Sequence, residues 1–231
     1  VTTPDPRTLP DVSGLRIGLL GGTGAQGRGL AYRWAASGLS VLIGSREPAK
    51  AERAARELGL DPDLADRVRG AGNADVAGTA DVVVAAMPYG GHADLLRPLR
   101  TALAGRIVVD CVNPLAFDSR GPYVPAVPDG SAAEEAAALL PEARVTAAFH
   151  HLSAVLLADP DVTSLDTDVL VLGDDREATD VVRALAARLP GVRGIYAGRL
   201  RNAGQVEGLT ANLIAVNRRY KSHAGIRVTD V

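Results

Sequence analysis

Apolar positions along this chain fall into short, almost unbroken runs separated by stretches with helical spacing. Leu15 to Leu20 reads as a first strand, and Leu30, Tyr32 and Trp34 carry a helix after it. Leu39 to Gly44 is a second strand. Pro48 then suits the first turn of a helix that runs through Ala51, Ala54, Ala55 and Leu58 and stops at Gly59. A short third strand is expected near Arg67-Val68, and a short helix from Asn73 to Ala80. Asp81 to Met87 is a buried strand broken by Pro88, a helix follows from about His92 to Leu103, and Arg106 to Asp110 is the next strand. Runs without alternation belong to strands covered on both faces, so the pattern calls for a parallel sheet with right-handed crossovers.

From Pro114 to Ser131 the pattern lapses. Pro114, Gly121, Pro122, Pro125, Pro128 and Gly130 mark an extended loop, long enough to be a candidate lid. Beyond it come an alanine-rich helix (Ala132 to Leu140), a strand from Val145 to Phe149 ending at His150-His151, and a strand from Val169 to Leu172. Gly173-Asp174-Asp175 places acceptors at the start of a helix from Arg176 to Leu189. A short strand near Arg193 to Tyr196 leads to a terminal helix, about Ala203 to Tyr220. This second half adds to the sheet.

The first strand runs into Gly21-Gly22-Thr23-Gly24-Ala25-Gln26-Gly27, and Gly22, Gly24 and Gly27 keep the G-x-G-x-x-G spacing. In a dinucleotide-binding turn, Gly22 would allow the tight turn, Gly24 the approach of a pyrophosphate, and Gly27 close packing of helix on strand. The orphan amides of the helix N-terminus would receive the phosphate charge. The fold class is therefore α/β: a Rossmann-type doubly wound, mostly parallel sheet with a small C-terminal α/β extension and terminal helix. Residues 1–13, with Pro4, Pro6 and Pro10, are expected to form a flexible arm. Residues 14–148 would form the nucleotide-binding domain, and 149–231 a smaller substrate-binding part.

Composition narrows the partners. Among 231 residues, 25 basic and 27 acidic side chains give a net charge of -2, so no basic field recruits nucleic acid or an acidic membrane. Cys111 is the single cysteine, which excludes an internal disulfide and fits a reducing cytoplasm. No apolar run reaches bilayer length, and residues 1–13 lack the order of a signal peptide.

The second strand ends at Gly44-Ser45-Arg46, where an NAD site would carry an acidic residue for the ribose hydroxyls. A hydroxyl and a guanidinium suit a 2′-phosphate, Lys50 adds a second cation one turn on, and Thr23 can donate to the same phosphate. The nucleotide is read as NADP. A solvated turn remains the plainer fate of Ser45, Arg46 and Lys50.

With those residues in place, the chain resembles the NADPH-dependent coenzyme F420 reductases. The likeness runs from about Leu15 to the C-terminus. It is carried by Leu19-Leu20-Gly21-Gly22-Thr23-Gly24, Gly44-Ser45-Arg46 with Lys50, Ile107-Val108-Val109, Ala148-Phe149-His150, Gly173-Asp174-Asp175 and Ala197-Gly198-Arg199-Leu200. The resemblance implies reversible hydride transfer between NADPH and the deazaflavin F420 in a homodimer. Thr23, Gly24, Ala25, Gln26, Ser45, Arg46 and Lys50 would bind the NADP phosphates. Met87, Pro88, His92, Asn113 and Ala154 would lie toward the nicotinamide. His150, Leu152, Ser153 and Ile226 would face the deazaflavin. Two departures fall on that side: Pro88-Tyr89-Gly90-Gly91-His92 is one residue longer than the family's Pro-Trp-x-His, and His151 and Ser153 replace its Thr and Pro.

Such a reaction requires no side-chain nucleophile or acid, because both carriers hold the chemistry. No metal is expected, since neighbouring side chains on a strand point to opposite faces and His150-His151 could not easily chelate one ion. His92 would sit in the first turn of its helix and His223 in a solvated tail. Cys111 would be a small buried residue. Arg218, Arg219 and Lys221 form a charged helix end that could steer the polyanionic F420 tail. Leu209, Leu213 and Val216 on the terminal helix would serve a dimer surface or a lid. Two alternatives stay open: an NADPH-dependent reductase of an imine, keto acid or flavin, with Tyr89 or His150 as proton donor, and a non-catalytic NADP-sensing module.

Overall fold

The computed structural model describes residues 8–231, so Pro4, Pro6 and the rest of the expected arm at 1–7 lie outside the described residues. From residue 8 the chain already packs on the body, with Val12 buried and Leu9 against the core. The strands are β1 (Arg16–Leu20), β2 (Ser40–Ser45), β3 (Val68–Gly72), β4 (Val82–Ala85), β5 (Ile107–Asp110), β6 (Ala116–Asp118), β7 (Gly121–Tyr123), β8 (Arg144–Ala147), β9 (Thr167–Gly173) and β10 (Val192–Gly198). The helices are α1 (Ala25–Ala36), α2 (Pro48–Arg56), α3 (Pro62–Ala65), α4 (Asn73–Thr79), α5 (His92–Leu96), α6 (Ala132–Leu139), α7 (Ala154–Ala158), α8 (Arg176–Ala187) and α9 (Ala203–Tyr220).

Eight strands form one sheet in the order β10-β9-β8-β5-β4-β1-β2-β3. Chain order reverses between β1 and β4, which opens a crevice at their carboxyl ends, where such sheets bind ligands. Every pairing in the sheet is parallel except β8 with β9, so β9 and β10 run against the other six. That reversal brings the N-terminal end of β9 to the same edge as the crevice. The Rossmann-type, mostly parallel sheet is as expected.

The unbroken apolar runs are explained by burial on both faces. Val82 and Val84 of β4 join the core under α1 and α8, whereas Val83 joins the core under α4, α5 and α6. Trp34 of α1 meets Phe149 edge-to-face at 5.5 Å and donates its indole N–H to the Leu185 carbonyl of α8. Arg33, buried beside it, donates to the carbonyls of Leu156, Leu157, Asp159 and Val162. A guanidinium has five donors in a fixed fork, so one side chain can close the C-terminal end of α7 in this way.

Several elements differ from the pattern-based reading. The segment expected to be an extended loop from Pro114 to Ser131 contains an antiparallel hairpin, β6–β7, with Phe117 opposite Pro122. The helix expected from His92 to Leu103 ends at Leu96, where Pro98, lacking an amide donor, shifts the chain into a 3-10 turn, Arg97–Leu99. The strand expected to reach Phe149 stops at Ala147, because Phe149 takes a left-handed φ of 68°. Helices α3 and α7 were not anticipated. The tail around His223 is not simply solvated: His223 Nδ1 lies 3.2 Å from Ser153 Oγ, and Ile226 bonds Thr167 and Asp168.

Candidate active site

The glycine turn joins β1 to α1, with one difference from the assignment made from spacing. The left-handed residue is Gly21, at φ 64°, and its amide donates to Asn73 Oδ1. A side chain on Gly27 would meet the Gly22 carbonyl oxygen at 2.5 Å, so only glycine lets α1 approach the turn. A side chain on Gly24 would meet nothing within 4 Å, since it faces the open crevice.

The start of α1 is bare. Gly24 is its N-cap, without a capping side chain or an acid in the first turn. Helices α6, α7 and α8 are capped by Ser131, Ser153 and Asp175, each accepting a backbone amide, whereas α2, α4 and α9 start without a side-chain cap as α1 does. The first amides of α1 and its positive dipole end are therefore free for an anion. At the end of β2, Ser45 is buried and accepts the Glu47 amide, while Arg46 and Lys50 are exposed beyond it.

A cavity of about 280 Å³ opens from the bare helix end. Gly24, Ala25, Gln26, Ala86, Met87, Pro88, Cys111, Asn113 and His150 line it. Its floor is tied together across the fold. Gln26 donates to the Phe149 carbonyl, Asn113 donates to the His150 carbonyl at 2.8 Å, and Thr210 of α9 reaches that carbonyl and Asn113 Oδ1. The left-handed turn at Phe149 is thus held from three sides.

His150 is 4% exposed, and neither ring nitrogen has a hydrogen-bond partner. Leaving a buried polar group unpaired is costly, and this residue lies in the cavity wall. Burial lowers its pKa to about 4, which keeps the ring neutral. His151 turns away and donates Nε2–H to the Asp168 carbonyl, and its pKa is also lowered by burial. Burial raises the pKa of the Cys111 thiol, whose S–H donates to the Ala85 carbonyl. It is the small buried residue expected.

Other residues do not line this cavity. Leu152 packs into the core at 7% exposure. Ser153 caps α7, Ala154 begins that helix, and Ile226 is strapped to the start of β9. His92 is fully buried with both ring nitrogens on carboxylates: Nε2 lies 2.6 Å from Asp110 Oδ2 and Nδ1 lies 2.6 Å from Glu135 Oε1. Tyr89 donates to the other oxygen of Glu135, and Glu207 accepts the Ala132 and Ala133 amides nearby. Asn73, Thr210, Asp110, Glu135 and Glu207 were not singled out in the sequence. Asn73 directly follows the β3 terminus, a position that could have drawn attention to it.

A Rossmann crevice with an uncapped helix, a basic rim and a cavity of mixed polar and apolar lining suits a nucleotide-dependent oxidoreductase. The family described as NADP oxidoreductase coenzyme F420-dependent matches residues 16–114. The F420-dependent NADP reductase of Methanothermobacter marburgensis is 39% identical over 226 residues, covering 94% of this chain and 99% of that protein. The Methanocaldococcus jannaschii F420-dependent NADP reductase is 38% identical over 227 residues, with the same coverage. The chain belongs to the F420-dependent NADP reductase family. A crystal structure of a proposed F420-dependent NADP reductase from Arthrobacter sp. FB24 superposes with a TM-score of 0.77 at 30% identity, covering 94% of this chain and all of that one. An imine reductase from Bacillus cereus, at 16% identity and TM-score 0.62, shares the fold alone.

Proposed function

We propose that this protein transfers a hydride reversibly between NADPH and coenzyme F420, with F420 + NADPH + H⁺ giving F420H2 + NADP⁺. The observation that carries the reading is the cavity joining the bare N-terminus of α1 to the unpartnered His150 ring. Bound together, the two carriers supply the hydride chemistry themselves, and the protein holds the reacting carbons at roughly 3–3.5 Å away from water.

In this reading the amides of Gly24, Ala25 and Gln26 bind the diphosphate, while Thr23, Ser45, Arg46 and Lys50 bind the 2′-phosphate. Met87, Pro88 and Asn113 surround the nicotinamide. His150, as a neutral ring with a free donor and a free acceptor, hydrogen-bonds the deazaflavin, with Leu152, Ser153 and Ile226 behind it. Residues 14–148 form the nucleotide part and 149–231 the deazaflavin part. Arg218, Arg219 and Lys221, exposed at the end of α9, steer the anionic tail of F420. Phe117, Tyr123 and Val124 of the hairpin segment and Val216 and Tyr220 of α9 are exposed apolar groups suited to a homodimer. Among the described residues no helix is long and apolar enough to cross a membrane, and a free buried Cys111 fits the cytoplasm.

The test is direct. The protein is mixed with NADPH and F420, and the visible absorbance of the deazaflavin is followed. Bleaching is expected, more complete at acidic pH because reduction takes up a proton. No bleaching from mildly acidic to alkaline pH overturns the proposal, and nucleotide binding without turnover would support the sensing module instead.

A further inference from the structure

Two of the cavity walls are turns that follow neighbouring strands. Met87 and Pro88 follow β4, and Cys111 to Asn113 follow β5. The sheet pairing ends at Ala85 with Asp110, and the last ties between the two strands are the Cys111 amide and thiol, both donating to the Ala85 carbonyl. What spans the gap beyond the sheet is His92. Its residue closes the 3-10 turn that starts at Pro88, and its Nε2 bonds Asp110 Oδ2 at 2.6 Å. The other oxygen of Asp110 accepts the Val112 amide at 3.0 Å and so shapes the turn that delivers Asn113. On its far side His92 Nδ1 bonds Glu135 of α6 at 2.6 Å.

A ring with a carboxylate on each nitrogen is an imidazolium, because both nitrogens must donate. We propose that His92, bonded on both sides, is a positioning residue that sets the separation of the Met87–Pro88 and Cys111–Asn113 walls and thereby the fit of the nicotinamide end of the dinucleotide. This rests on the reading of the cavity as the nicotinamide site. His92 itself does not touch the nucleotide.

The groups facing His92 come from every element around it. They are Tyr89 from the preceding turn, Asp110 from β5, Glu135 from α6 and Glu207 from α9, with Asp129 acting on Tyr89 from the loop before α6. Burial works against the charge on His92, but the two carboxylates outweigh it and raise the pKa to about 9. Burial raises Glu207 to about 7 against its two amide donors, so the surplus negative charge around His92 is reduced below that pH. The cation is therefore present through the neutral range and lost in alkali.

The experiment compares equilibrium binding of NADPH with that of 2′,5′-ADP, which carries the phosphate end of the nucleotide and lacks the nicotinamide. His92→Gln leaves two carboxylates without their shared cation. It is expected to weaken NADPH about tenfold and leave 2′,5′-ADP within about twofold of wild type. Glu135→Gln keeps an acceptor for His92 and a partner for Tyr89 while removing one charge. In wild type, NADPH affinity should fall as pH passes about 9, and in Glu135→Gln that fall should move about one pH unit lower. Equal weakening of both ligands by His92→Gln overturns the inference, as does unchanged NADPH binding. If that variant does not fold, as judged by circular dichroism and thermal unfolding, the Glu135→Gln profile decides, and an unmoved profile overturns the inference. Wild-type protein that binds neither ligand overturns the dinucleotide reading together with this one. Normal wild-type binding with unresponsive variants overturns only the role of His92.

Discussion

The phosphate end and the ring end of this crevice are built in opposite ways. At the phosphate end, the turn from Gly21 to Gly27 presents backbone amides, and Asn73 accepts the Gly21 amide from a distant segment. Ser45, Arg46 and Lys50 are contiguous with one strand end and one helix start. At the ring end, the walls come from the turns after β4 and β5 and from the Phe149 turn, and they are held by Gln26, Asn113, Thr210 of α9 and His92. A phosphate is a compact charge that oriented amides recognise whatever the surrounding side chains are. Two flat rings must instead be stacked at close range, which needs walls fixed relative to one another. In the proposed function, the comparison assigns affinity for the nucleotide to local sequence and alignment of the rings to packing.

The comparison can be broken by variants that should affect one end alone. The largest effect is expected from Arg46→Glu, which replaces a cation for the 2′-phosphate with a repelling anion. NADPH affinity should fall about 10–100-fold, while NADH, lacking that phosphate, changes much less. Unchanged NADPH binding in titration would remove Arg46 from the site. Next, His150→Phe keeps the buried ring but removes both free nitrogens. It should lower kcat/KM for F420 about tenfold with little change in NADPH binding. Equal losses for both substrates would assign His150 to general packing.

The smallest effect concerns the strap that closes the ring end from behind. Asp168 is fully buried and accepts bonds from Arg193, Arg227 and the Val228 amide. The Arg193 bonds, offset by burial, hold its pKa at about 2 in the folded protein, below the ordinary 3.8. The charged form is thus favoured on folding, so its contribution is present above about pH 4 and lost as pH falls through about 2. Asp168→Asn should reduce stability by about 1–2 kcal/mol at neutral pH in urea unfolding, with the difference shrinking in acid. A difference that persists undiminished at low pH would show that charge is not its source.

Legibility in the sequence followed the same division. Gly22, Gly24 and Gly27 with Ser45 and Arg46 were readable because their partners are near in the chain and their spacing is dictated by one strand-turn-helix unit. Even there, sequence spacing assigned the tight turn to Gly22, whereas the left-handed φ belongs to Gly21. His92 was placed correctly at a helix start, yet its partners Asp110 and Glu135 lie 18 and 43 residues away. Glu207 caps α6 from 75 residues beyond Ala132. No local pattern distinguishes those carboxylates from solvated ones. Leu152 and Ile226 illustrate the converse. Resemblance put both beside the deazaflavin, but here one is in the core and the other lies in a strap pinned to β9.

By itself the amino-acid sequence determined the alternation of buried strands and helices, the glycine turn, the basic rim at the end of β2 and the terminal helix from Ala203 to Tyr220. These follow from periodicity and from the backbone freedom of glycine, which act within a few residues. The tertiary structure alone decided the reversal of β9, the left-handed turn that buries an unpaired His150, and the burial of His92 between two carboxylates. Those features depend on groups brought together from distant segments, where exclusion of water raises the cost of every unmatched charge and makes each match specific.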